Sequence, residues 1–187
     1  RGQTNPGAYA DVEEIHGARD GGLDGLRGRE WDVVVDTSGY VPRVVRQSAE
    51  LLKDSVGHYV FVSSISVYQK PEEGLLDEAD SPLHTLEDES VEEITGETYG
   101  GLKVLCESVV DEIYGERGTN VRAGFIVGNY DVAWRLPHLI HRYDSAGEKL
   151  AGRPEQAVQI IHARPLGEWM LHAAANNVSG AYNLTGE

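Results

Sequence analysis

Apolar residues along the chain gather in short runs that alternate with segments of helical spacing. The run "WDVVVD" (31–36) is rich in β-branched residues and predicts a buried strand. Behind it, "VPRVVRQSAELLKDS" (41–55) sets Val44, Val45, Ala49, Leu51 and Leu52 at helical spacing, with Pro42 where a first helical turn accepts it. "HYVFVSS" (58–64) predicts the next strand and "TYGGLKVLCESVVDEIYGE" (98–116) the next long helix. "NVRAGFIVG" (120–128) reads as a strand, "WRLPHLIHRY" (134–143) as a helix, and "AVQII" (157–161) as a strand. "PLGEWMLHAAANN" (165–177) and "GAYNLTG" (180–186) close the series as helix and strand. Strand and helix in strict alternation predict an α/β fold, a doubly wound parallel sheet with helices on both faces.

One stretch breaks the alternation. Residues 69–96, "QKPEEGLLDEADSPLHTLEDESVEEITG", are acidic and carry no strong period. A connection this long inside a compact domain is either a solvated mobile loop or a lid, and both readings stand level. Within it, "SVEE" (90–93) has the form of a capping box and predicts the start of a short helix.

Composition narrows the classes of function. The 187 residues suffice for one domain with a real core. The net charge of −15, from 31 acidic against 16 basic residues, argues against a nucleic-acid surface, which needs clustered cations. No run of 18 apolar residues offers a membrane span, and "RGQTNPGAYADVEE" has no signal-peptide core. The single Cys106 excludes an internal disulfide and any Cys-x-x-Cys motif. A soluble, cytoplasmic, acidic globular protein is the class that fits.

Candidate chemistry lies at the strand ends, because ligands of such sheets bind beyond the carboxyl ends of the strands. "VSSISVY" (62–68) brings Ser63, Ser64 and Ser66 there, and "DTSGY" (36–40) brings Thr37, Ser38 and Gly39. For Thr37 and Ser38, capping of the next helix is an equally good use of the hydroxyl. "TGETYGGLK" (95–103) opens a helix with Gly100 and Gly101, although each interior glycine costs about 1 kcal/mol against alanine. Tyr99 and Lys103 stand four apart and share a helix face. A phenol ordinarily titrates near about 10, and a nearby ammonium favours its ionised form. Ser64 could hold a substrate oxygen while Tyr99 moves its proton. With nine tyrosines in the chain the Tyr-x-x-x-Lys spacing alone is weak. Joined to a strand-end Ser-Ser-x-x-Val-Tyr, it is far more specific.

"WDVVVDTSGY", "GHYVFVSSISVY", "TYGGLK", "VRAGFIVGNYD" and "IIHARPLGEW…GAYNLTG" together make the chain resemble the NAD-dependent epimerase/dehydratase family, the extended branch of the short-chain dehydrogenases/reductases. The resemblance runs over nearly the whole chain in family order. It implies NAD or NADP as cofactor and a hydroxyl or carbonyl of a small polar, sugar-like compound as substrate. Ser64 would then orient the substrate oxygen, Tyr99 act as general acid/base, and Lys103 bind the nicotinamide ribose and lower the tyrosine pKa. Ser66 would join Ser64 and Tyr99 at the substrate, while Arg19, Thr37, Ser38, Gly39 and Ser63 would join Tyr99 and Lys103 along the cofactor. On the same resemblance the two glycines would let cofactor or substrate approach the helix closely, against the plainer reading of close helix packing. A homodimer is implied by analogy.

Departures from the family pattern motivate an alternative. In family order the chain reads as one domain, 1–187, beginning after the first strand–glycine loop–helix unit and containing the start of a substrate-binding region at about 129–160. "GLDGLRG" (22–28) matches Gly-x-x-Gly-x-x-Gly literally, but "WDVVVD" follows too soon for the required helix, so it predicts a short glycine-rich helical connection. Ala18, Ala123 and Pro165 stand where relatives usually carry other residues, and "AVQII" offers no basic residue for a substrate phosphate. The rival function is a regulatory or scaffold member without productive cofactor binding, or a fragment of a longer enzyme. Arg1 would fall near the adenosine ribose. His138 and His141 lack a third ligand for a metal, Cys106 reads as a buried apolar thiol, and no Gly-x-Ser-x-Gly elbow supports a hydrolase.

Overall fold

The computed structural model describes residues 11–69, 76–129, 131, 134, 136–138, 140–141 and 158–186. The β-branched run at 31–36 forms β1 (Trp31–Asp36), and the proline-led segment forms α1 (Pro42–Leu52). Then come β2 (Val56–Val62), α2 (Tyr99–Tyr114), β3 (Gly118–Ala123), β4 (Phe125–Val127), β5 (Ile160–His162), α3 (Ala163–Ala175) and β6 (Gly180–Leu184). Four strands make one parallel sheet in the order β1-β2-β3-β6, and β4 pairs in parallel with β5.

Period two along β2 explains the layers. Tyr59 and Phe61 pack with Val45, Ala49 and Leu52 of α1 and with Cys106, Val109 and Val110 of α2. The intervening Val60 points the other way, into a cluster with Val121, Leu166 and Ala174 under α3. Helices therefore cover both faces, as the alternation predicts. Every residue of β3 is buried, which places it at the centre of the sheet.

Two sequence expectations are corrected. "NVRAGFIVG" is not one strand but two, because the chain turns at Gly124. Its N–H donates to Leu184 O at 3.0 Å, and a Cβ there would sit 2.7 Å from Gln159 O, so only glycine passes. No helix starts at "SVEE". Ser90 instead turns back on Asp88, whose carboxylate accepts from its N–H at 2.9 Å and its hydroxyl at 2.6 Å, so the side chain is held toward the preceding residues. The glycine-rich "GLDGLRG" gives a single 3₁₀ turn at Asp24–Leu26.

The described part of the acidic connection packs onto the sheet end. His84 N–H donates to Val67 O at 2.7 Å, and Tyr68 and Leu83 form an antiparallel bridge. Farther on, Arg43 of α1 binds Glu92 at 2.7 Å and Asp20 at 2.8 Å, tying the acidic connection and the 17–22 turn to one helix. Arg1 lies outside the described residues, as do most of 129–157.

Candidate functional site

α2 begins where two threonines close a turn. Thr98 Oγ1 donates to Glu93 O at 2.6 Å and accepts from Thr95 N–H at 2.9 Å, while Tyr99 N–H donates to Thr95 O at 3.0 Å. Tyr99 is thereby the first helical residue, half-buried, with Lys103 one turn on. The glycines between them answer to packing. A Cβ at Gly100 would lie 2.3 Å from Ser66 O and one at Gly101 2.5 Å from Leu86 Cγ, so protein fills the space that the resemblance reserved for cofactor or substrate. That expectation is corrected: the glycines let the 64–67 turn and the acidic connection press onto α2.

Lys103 is the most constrained group of the site. It is 2% exposed, and its ammonium donates to Gly39 O at 2.6 Å and to Val62 O at 2.8 Å. One side chain from α2 thus ties the ends of β1 and β2 together. The Phe61 ring lies 4.0 Å and the Tyr40 ring 5.6 Å from Nζ. Burial pushes the Lys103 amine down to about 8, against the opposing pull of Cys106, Asp36 and Glu107. The Cys106 thiol is pushed up to about 12 by the same burial, which leaves it an inert packing group.

The hydroxyls divide in their use. Ser64 caps a 3₁₀ turn at Ile65–Val67, accepting from Ser66 N–H at 3.1 Å, and it donates to Ser66 Oγ at 3.1 Å. Ser63 is buried, its N–H on Val121 O at 2.7 Å and its hydroxyl unpartnered. Thr37 and Ser38 are exposed and do not cap α1, whose N-cap is Val41 without a side-chain bond. Gly39 is held in place by Phe61 and Val45, which a Cβ would meet at 2.4 and 2.7 Å.

Asp36 and Tyr59, which the sequence reading did not single out, join Arg19 in holding this turn. The Asp36 carboxylate, buried at the end of β1, takes both terminal nitrogens of Arg19, the hydroxyl of Tyr59 at 2.7 Å and the N–H of Ser38 at 3.1 Å. Burial works against the Arg19 guanidinium, but Asp36 outweighs it and holds the group above its ordinary pKa. Burial, then the Asp36 charge, push the Tyr59 phenol well up, so it stays a neutral donor. Arg19 therefore acts first as a clasp on the turn. A carboxylate directly after three valines, at the end of β1, was the one local signal for it.

Beside the turn opens a cleft of about 730 Å³, lined among others by Arg19, Ser38, Tyr40, Val44 and Ile94. Lys103 is not in its wall; Tyr40 is, with its ring 5.6 Å from Lys103 Nζ. Tyr40 also lies 6.5 Å, ring centre to ring centre, from Tyr99. Among the described residues no group of three or more His, Cys, Asp or Glu could hold a metal ion, and no helix is long and apolar enough to cross a membrane.

No protein-family model matches the chain, and no curated protein matches it. Solved structures do share its fold. A dTDP-glucose 4,6-dehydratase from Streptomyces venezuelae with NAD bound is similar at 20% identity over 88% of this chain, with a TM-score of 0.64. A human epimerase family protein with NADPH aligns at 19% identity over 87% of the chain, with a TM-score of 0.61. The UDP-N-acetylglucosamine 4-epimerase from Bacillus cereus aligns at 17% over 83%, with a TM-score of 0.55. The chain spans 54%, 59% and 58% of these three, a little over half of each. At such identities the likeness is one of fold, an α/β Rossmann-like parallel sheet.

Proposed function

We propose that the chain carries the catalytic half of an NAD(P)-dependent oxidoreductase or epimerase/dehydratase acting on a hydroxyl or carbonyl of a small, sugar-like substrate. The observation that carries this reading is Lys103: a buried ammonium at two strand ends, one helical turn from Tyr99. Structural neighbours support it through the fold: two of them hold NAD or NADPH, and two are named for sugar-nucleotide substrates.

The residues present fit the sugar end of such a cofactor. Lys103 has two of its three ammonium protons on carbonyls, Ser63 has a buried unpartnered hydroxyl, and Thr37 has an exposed one. A bound nicotinamide would supply the two-electron hydride acceptor or donor. Lys103, Ser63, Thr37 and Ser38 would hold its ribose, with the Gly39 carbonyl keeping the Lys103 ammonium in place. Ser64, with Ser66 beside it, would orient the substrate oxygen. Tyr99 would pass a proton to or from that oxygen, helped by the charge of Lys103.

Replacing Tyr99 by phenylalanine removes the proton carrier and keeps the ring. The expected result is a loss of about 10²–10⁴-fold in kcat, the usual worth of a positioned acid or base, with the fold intact. The assay follows absorbance of reduced nicotinamide across a panel of small polyols and sugars. Turnover retained by the variant would remove Tyr99 from the mechanism.

A second reading has one observation in its favour. The bonds of Lys103 to Gly39 and Val62 are structural ties in their own right, as expected of a regulatory or scaffold member keeping the architecture without catalysis. Nicotinamide binding separates the two.

A further inference from the structure

Tyr40 has no task in the packing that would demand an aromatic ring, for it is 45% exposed and follows the clasped turn directly. Its ring nevertheless holds three relations at once. One is to Lys103 Nζ at 5.6 Å, one to the Tyr99 ring at 6.5 Å, and the third is its place in the wall of the cleft. The residue before it, Gly39, accepts from the same Lys103 ammonium, so backbone and ring of this dipeptide close over one charge. The Phe61 ring, 4.0 Å from Nζ, is fully buried, so of the two rings beside the ammonium Tyr40 is the exposed one.

We propose that Tyr40 is the gate of the site: its ring screens the Lys103 ammonium from the cleft, and a ligand hydroxyl reaches the third N–H only when that ring swings aside. The identity of the gate follows from exposure. A half-exposed ring changes rotamer quickly and at little cost, whereas moving Phe61 would open the core. Tyr40 is a positioning residue, since it acts through Lys103. Its screening also keeps water from the ammonium and so helps sustain the desolvation that Lys103 experiences. The role rests on the reading of Lys103 as a ligand-contacting group, but its test needs neither substrate nor nicotinamide, so failure of either shows separately.

The test is acetylation of the folded chain by a succinimidyl ester, read as the labelling rate of Lys103 relative to the exposed Lys53 by peptide mass. Rates are compared on the alkaline plateau, where the amine is neutral in every variant, so accessibility alone is read. Wild type is expected to label Lys103 far more slowly than Lys53. Tyr40→Ala and Tyr40→Ser should both raise the ratio tenfold or more, and Tyr40→Phe, which keeps the ring, should restore the wild-type ratio. Equal ratios in wild type and both truncations would overturn the proposal, as would a Tyr40→Phe rate matching Tyr40→Ala.

Discussion

Glu107→Ala is expected to cost about 3–5 kcal/mol of stability, because it strands a buried guanidinium. Arg122 of β3 and Glu107 of α2 pair with side chains each 5% exposed, Nη2 donating to Oε2 at 2.8 Å and Nε to both carboxylate oxygens at 3.2 Å. With the carboxylate gone, Arg122 keeps, among the described residues, the Tyr68 hydroxyl at 2.8 Å and Glu78 O at 3.4 Å. Neither carries a charge. The Tyr68 hydroxyl donates onward to Asn183 of β6, whose N–H is held by the Glu78 carboxylate at 2.7 Å, so damage at Glu107 spreads to the acidic connection. The double variant Glu107→Leu/Arg122→Met removes both charges and should be more stable than Glu107→Ala. Urea midpoints decide it: a double variant no better than the single one would mean the pair's worth lies in its attraction rather than in avoided desolvation.

Lys103→Met should change how stability depends on pH. The wild-type amine titrates near 10.5 when unfolded and at about 8 when buried. Below pH 8 both states are protonated and the folded one bears the full cost of burying the charge. Between the two values the unfolded chain binds more protons, so stability rises with pH, by about 3 kcal/mol over the whole window. Above it both amines are neutral and the cost is gone. Methionine has no proton to lose, so the variant lacks this rise, and the stability difference between the two proteins should move by that amount in favour of wild type. Parallel curves from denaturant unfolding across the window would mean the ammonium is well solvated.

Local chemistry made the frame legible. "WDVVVD" gives β1 residue for residue because β-branched side chains suit an extended backbone, and Pro42 marks the start of α1. The break at Gly124 was hidden because apolar residues run on across it and its cause, Gln159 O, lies far along the chain. "SVEE" misled because a capping box is silent about an acidic residue two positions earlier that takes the serine first. For the site, the spacing of Tyr99 and Lys103 was visible. The partners of Lys103 were not, because two backbone carbonyls leave no side-chain signature. The glycine pair likewise takes its meaning from Ser66 and Leu86, which only the fold brings near. Arg19 with Asp36, and Tyr40 over Lys103, are tertiary pairings of the same kind.

The most direct test of the central claim is a calorimetric titration of this chain with NAD and with NADP, in wild type and Lys103→Met. Saturable binding at micromolar strength, weakened at least tenfold by the substitution, is expected if Lys103 meets the nicotinamide ribose. No binding of either dinucleotide, or binding indifferent to Lys103, would contradict the account and leave that ammonium as a tie between two strand ends.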